Sequence, residues 1–185
     1  LEGFYDTYIN QLGFLDDSSG NISLYKFILV MNNTWNNGNW GGWAFGAHYD
    51  NVIGAMWIHP AGCQPPSGTV AHEFAHALQC QSFIEYPGTG FQHYSSGFFW
   101  EAHANFMMLQ CYPDNWNGVD LVNFMNHQHF HYSSTRHRYN NMLFKQYIED
   151  KRGIAMVNRL WRESTHEEHP LQTYMRLTGM SQSQL

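Results

Sequence analysis

The chain has 185 residues, 43% of them hydrophobic and 17% aromatic, which is enough to build the core of one folded domain. Lys and Arg total 9 against 15 Asp and Glu, and the net charge of −6 argues against nucleic acid or an anionic membrane surface as a partner. No apolar run reaches the roughly 18 residues needed to span a bilayer.

Residues 2–13 carry Phe4, Tyr5, Tyr8, Ile9 and Leu12 at helical spacing, so an amphipathic helix is expected there. Residues 16–21, rich in Asp, Ser, Gly and Asn, read as a turn. Residues 24–31 read as a strand and residues 52–59 as a second one. Between them, residues 32–46 read as a Trp/Asn/Gly loop. The wider stretch 35–49 holds Trp35, Trp40, Trp43, Phe45, His48 and Tyr49. Aromatic residues at that density either cover the outer face of a sheet or form a wall that meets a ligand.

Pro65-Pro66 breaks the chain before the most informative segment, His72-Glu73-Phe74-Ala75-His76. The flanks are uncharged and rich in Ala, and Ser67 or Thr69 is placed to cap the start of a helix. Residues four apart share one helix face, so His72 and His76 can grip one small cation. Zinc favours such nitrogen ligands, and Glu73 is then set to act on a water at the open coordination position.

A catalytic zinc usually takes three protein ligands. Residues 98–109 form the best candidate for a second helix, and Glu101 is its one carboxylate, set among aromatic residues where an unpaired charge is costly. The rival ligand is His103. It lies about 200° around the helix from Glu101, so the two cannot point at one ion. Its plain reading is a packing residue. Asn105, one turn beyond Glu101, is placed to orient a ligand histidine.

The pattern H-E-x-x-H followed by a distant E-x-x-A, here His72 to His76 and Glu101 to Ala104, resembles the gluzincin clan of zinc metallopeptidases, the thermolysin-like group. The uncharged flanks Thr69-Val70-Ala71 and Phe74-Ala75 with Ala77-Leu78 fit the clan's extended pattern. Trp100 before the Glu and His103 after it are similar to a group of secreted microbial gluzincin-like domains. Asn105 stands where thermolysin-like members carry Asp, and the interval from His76 to Glu101 is longer than theirs.

The resemblance implies zinc held by His72, His76 and Glu101, with Glu73 as general base. It implies an α+β, zincin-like fold in one catalytic domain over residues 1–185. A small, mostly antiparallel N-terminal sheet would sit over the motif helix in an α/β part of about residues 1–112. A mainly helical part would follow over about 113–185. It further implies that Gly54-Ala55-Met56-Trp57 is an edge strand that pairs with an extended substrate.

Downstream, residues 119–125, 140–148, 154–161 and 171–177 carry helical apolar spacing, punctuated by Gly153 and His169-Pro170. His166-Glu167-Glu168-His169 has the wrong spacing for a zinc pair and reads as a loop. Gluzincins take the donor that meets the developing oxyanion, a Tyr or His, from this region, and His137 and Tyr139 are the candidates.

The three cysteines form no metal-type pair. If the two helices run antiparallel and meet at the zinc, Cys63 and Cys111 fall at one end. A Cys63–Cys111 disulfide with Cys80 free is one expectation, and three thiols the other. The composition, rich in Asn, Gly, Trp and Tyr and poor in Lys, suggests a secreted or extracellular domain separated from its signal segment. The expected activity is hydrolysis of peptide bonds in a protein, peptide or glycoprotein substrate by a monomer. The rival from another class is a non-catalytic, zinc-containing carbohydrate-binding or adhesin module, supported by Trp35, Trp40, Trp43 and Tyr49.

Overall fold

The computed structural model describes residues 1–33, 43–91, 96, 98–115 and 118–185. Among these the fold is α+β, with a three-stranded mixed sheet and seven α-helices. The chain divides into two compact units: Leu1–Glu85 with Met107–Asn115, and Tyr86–Phe106 with Trp116–Leu185.

The first unit opens with α1 (Glu2–Tyr5), which widens into a π-helical stretch, Asp6–Gln11. The wider turn buries Tyr8 and Ile9. The Tyr8 ring stacks on Phe74 at 6.0 Å, and its hydroxyl donates to the Ala71 carbonyl at 3.1 Å. The amphipathic segment expected over residues 2–13 is therefore helical and docked, with its apolar stripe facing the motif helix.

The sheet comprises β1 (Ile28–Met31), β2 (Ala44–Tyr49) and β3 (Ile53–Ile58), in the order β1-β3-β2. β1 pairs parallel to β3, and β2 pairs antiparallel to it. The sheet is thus mixed rather than mostly antiparallel. The strand expected over 24–31 starts only at Ile28, because Asn21–Ser23 forms a 3-10 turn and Leu24 and Tyr25 face solvent.

The end of the segment expected to be loop is a strand. β2 returns to β3 through Asp50 and Asn51, both at positive φ (51° and 55°), closed by Val52 N–H donating to the Tyr49 carbonyl at 2.9 Å. Asp and Asn tolerate the left-handed conformation that these two turn positions require.

The motif helix α2 (Gly68–Glu85) is capped by Ser67, whose Oγ accepts from Val70 N–H at 3.0 Å. Its buried residues fall on every side: Val70, Ala71, Glu73, Phe74, Ala75, Ala77, Leu78, Gln79, Gln81 and Ser82. That is the signature of a helix enclosed by protein. Gln81 Oε1 accepts from Gly54 N–H at 2.7 Å, and its amide donates to Glu85, which also takes the Ile22 N–H. A buried polar chain thereby ties the start of β3 to the end of α2.

Two glycines set the approach of sheet to helix. A Cβ at Gly46 would stand 2.5 Å from His76 Cβ and press into the Glu73 carbonyl. One at Gly54 would press into the Ala77 carbonyl and the Phe27 ring. Gly46→Ala should push β2 off α2 and destabilise the protein by about 1–3 kcal/mol, the usual cost of overpacking. Thermal or denaturant unfolding measures it.

In the second unit, α4 (Gly118–His127) is followed by a 3-10 turn, Thr135–His137, then α5 (Met142–Arg152), α6 (Ile154–Arg162) and α7 (Pro170–Thr178). These match the four helical segments legible in the sequence. Gly153 (φ 81°) separates α5 from α6. His169 caps α7 in a reciprocal box with Gln172, which accounts for the His166–His169 segment as loop and cap. Glu168 clamps the same helix through Arg176, at 2.7 Å, and that pairing holds its carboxyl down at about 2.

The centre of this unit is aromatic. Trp161 packs against Phe91 and Phe99, and Lys145 is fully buried with its ammonium 3.9 Å above the Phe99 ring. Lys145 Nζ donates to the Asn141 carbonyl at 3.4 Å. Burial pulls the Lys145 amine well below its usual range. The unfolded chain then binds the extra proton, so stability should rise with pH up to the unfolded amine's value of about 10.4. Lys145→Met should flatten that rise and lift Tm by about 3 °C at neutral pH, read by thermal unfolding across a pH series.

Candidate metal centre

Helical geometry places His72 and His76 on one face of α2, one turn apart. Their rings sit 4.6 Å apart and nearly perpendicular, at 84°. The two Nε2 atoms face each other at 3.0 Å. Two nitrogens bound to one zinc at 2.0–2.1 Å in tetrahedral geometry stand about 3.3 Å apart, so the pair is close to ligand spacing already.

The protonation of His76 is set by a neighbour. Its Nδ1 lies 2.9 Å from Gln79 Oε1, an oxygen that can only accept. Nδ1 therefore carries the proton, and Nε2 keeps its lone pair toward His72. Two imidazoles meeting in this way need a shared proton or a cation between them. A nitrogen pair with a carboxylate suits zinc. Gln79 is 4% exposed, three residues beyond His76, so its amide is held in place by packing.

Gln79 is the residue that reading the motif alone passes over. The i, i+3 spacing from His76 was the available signal. Asn105, expected in that orienting role, lies on α3 (Phe99–Cys111) and is 8% exposed.

Glu73 is 8% exposed, and its own carbonyl lies under Gly46 of β2. Phe74, two residues beyond His72, points about 200° away from it. Phe74 helps to line a cavity of about 400 Å³ with Tyr5, Ile22, Leu24, Lys26 and Phe27, so that cavity opens on the far side of α2 from the imidazoles.

Glu101 is half-buried in the first turn of α3. His103 is fully buried, with its ring stacked on Trp161 at 5.2 Å and on Phe99 at 6.3 Å. It packs in the aromatic centre of the second unit, as its plain reading held.

His137 is 3% exposed, tilted against Phe124 at 5.7 Å, with Nε2 3.4 Å from the Phe130 carbonyl. Tyr139 is 40% exposed.

One expectation is corrected. β3, with Gly54-Ala55-Met56-Trp57, is the central strand, and both its edges are already paired. It has no free edge for a substrate. The edge strand beside the motif is β2.

Of the two readings of the aromatic stretch, its described part follows the sheet cover. Trp35 and Trp40 lie outside the described residues. Trp43 stacks on Phe45 at 6.0 Å, and Phe45 on Trp57 at 5.1 Å. Side chains alternate along a strand, and Gly46 faces α2, so Phe45 faces the other way. Trp43 and Phe45 cover the outer face of the sheet.

No disulfide forms. Cys63, Cys80 and Cys111 are free thiols. Cys111 lies within hydrogen-bonding reach of Tyr8 and Thr7, and burial pushes the Cys80 thiol up to about 11.

A family model described as DUF6055, a family of unknown function, matches residues 1–185, and the chain belongs to that family. No curated protein and no solved structure matches it.

Gln79→Leu keeps the volume and removes the acceptor from His76 Nδ1. If the pair holds zinc, the affinity, measured by competition with a chromophoric chelator, should fall about 10- to 100-fold with little change in fold.

Proposed function

We propose that the protein is a zinc-dependent hydrolase of peptide bonds, a metallopeptidase of gluzincin type with a zincin-like fold. The observation that carries the proposal is the H-E-x-x-H face of α2, where two imidazole Nε2 atoms stand 3.0 Å apart with His76 held in the ligand tautomer by Gln79. Further support comes from the sequence pattern, in which Glu101 stands where gluzincins carry a third, carboxylate ligand. Three protein ligands are the number a catalytic zinc takes, and they would leave it room for a water.

Zinc, when bound, supplies a Lewis acid that acidifies a water and polarises a carbonyl. His72, His76 and Glu101 hold it. Glu73 takes the proton of the attacking water and returns it to the leaving amine. For the donor to the oxyanion, the exposed hydroxyl of Tyr139 is favoured over His137, whose ring is enclosed. An extended peptide or glycoprotein segment would pair with the outer edge of β2, the strand whose Gly46 lies against the motif turn.

The rival reading, a carbohydrate-binding or adhesin module with a structural zinc, draws less support. Trp43, Phe45 and Trp57 spend their ring faces on one another, and a sugar platform needs them open. Among the described residues no helix is long and apolar enough to cross a membrane. A secreted setting rests on composition.

The test is Glu73→Gln. The variant should retain zinc, measured by elemental analysis, and lose about 10²- to 10⁴-fold in the rate of cleaving a protein or glycoprotein library that the wild type digests and a chelator protects. Equal cleavage by the variant would refute the mechanism.

A further inference from the structure

The second unit carries a groove of about 360 Å³ lined by Asn123, His127, Thr135, Arg136, Arg138, Tyr139 and Asn140. The donors converge there with no carboxylate among them. The sequence contains no Asp or Glu from Leu121 to Ile148, although the chain as a whole is acidic.

Two of the six arginines of this unit are ion-paired. Arg159 is paired with Glu163 at 2.6 Å, and Arg176 with Glu168 at 2.7 Å. Arg136 and Arg138 have no carboxylate partner among the described residues. Arg138 is braced by the Phe98 ring, 4.2 Å below its guanidinium. Arg136 is anchored through its backbone, where Asn140 donates to its carbonyl at 3.2 Å and its N–H donates to Ser134 Oγ at 3.3 Å. His127 Nδ1 donates to the Asn123 carbonyl at 2.7 Å, so the ring is held with Nε2 directed away from its own helix backbone.

Two arginines that line one groove, with hydroxyl and amide groups around them and no carboxylate partner among the described residues, are suited to a planar or tetrahedral oxyanion, which guanidinium groups can meet with forked, charge-assisted hydrogen bonds. We propose that this groove binds an oxyanion-bearing ligand, a carboxylate, sulfate or phosphate group, through Arg136 and Arg138. Thr135 and Asn123 offer neutral hydrogen bonds, and the Tyr139 ring offers an apolar wall to the remainder of the ligand. The groove shares Tyr139 with the proposed oxyanion donor, but Arg136 and Arg138 play no part in the argument for zinc, so either proposal can fail alone.

The experiment titrates the full chain at low ionic strength with three separate probes: inorganic phosphate, sodium sulfate and glucuronate. Binding is followed by calorimetry and by amide chemical shifts. At least one probe should saturate with a Kd of about 1 mM or tighter and weaken on addition of salt. Arg136→Gln, a substitution of an exposed side chain, should weaken binding at least about threefold, and Arg136→Gln with Arg138→Gln at least about tenfold. Arg138 also packs on Phe98, so thermal unfolding is run beside each variant, and the single Arg136 variant decides the matter if the double one does not fold. Stronger binding of glucuronate assigns a carboxylate ligand, and stronger binding of phosphate or sulfate assigns an ester of those acids. Absence of saturable binding for all three probes, or unchanged affinity in Arg136→Gln, overturns the proposal.

Discussion

The close approach of the sheet to the motif helix is the constraint on which the first unit depends. Gly46 and Gly54 let β2 and β3 lie directly against the backbone of α2, at the turns that hold Glu73, His76 and Ala77. A side chain at either position would collide with main-chain atoms, which have nowhere to go. With those contacts set, the pleat decides the rest. Met56 and Ile58 share the inner side, while Phe45 and Trp57 stack on the outer one. The hairpin at Asp50-Asn51 has no freedom to slip, because a shift by one residue would turn Phe45 toward the helix and Gly46 away from it.

In a helix so enclosed an idle polar group is costly. Gln81 is fully buried and spends its amide on Gly54 and Glu85. Gln79 spends its oxygen on His76. Leaving such groups without partners would cost about 1–3 kcal/mol each. Gln81 thus tethers the strand, and Gln79 fixes the tautomer of His76. The uncharged Ala-rich flanks make close packing possible, and they also explain why each polar exception matters.

The second unit meets the same problem differently. Its centre is a cluster of rings around Trp161, with His103 stacked among them and Lys145 set over Phe99. Burying an amine there is costly, and the aromatic faces only partly offset it. At the surface, Glu163 and Glu168 neutralise Arg159 and Arg176, while the carboxylate-free stretch leaves Arg136 and Arg138 without such partners among the described residues. The difference lies in the local sequence, and the fold gathers its result into one groove.

What the sequence determined by itself was local. Helical periodicity of 3.6 residues placed the N-terminal helix, the motif helix and the four downstream helices to within a few residues, because each pattern is read within one or two turns. The facing of His72 and His76 follows from the same spacing, and the bond from His76 to Gln79 was within its reach. The tertiary structure decided what depends on distant partners. β2 was hidden because Ala44-Phe45-Gly46-Ala47-His48-Tyr49 follows a Trp/Asn/Gly run, and only pairing with β3 makes it a strand. The central place of β3 follows from the parallel arrival of β1, which no local pattern announces. Whether Trp43 and Phe45 face a cleft or cover a sheet turned on which neighbour of Phe45 met the helix. Whether Cys63 and Cys111 were bridged turned on Cys111 settling beside Tyr8 and Thr7. Strand order, facing and thiol pairing are set by contacts between residues far apart in the chain, and a local pattern carries no record of them.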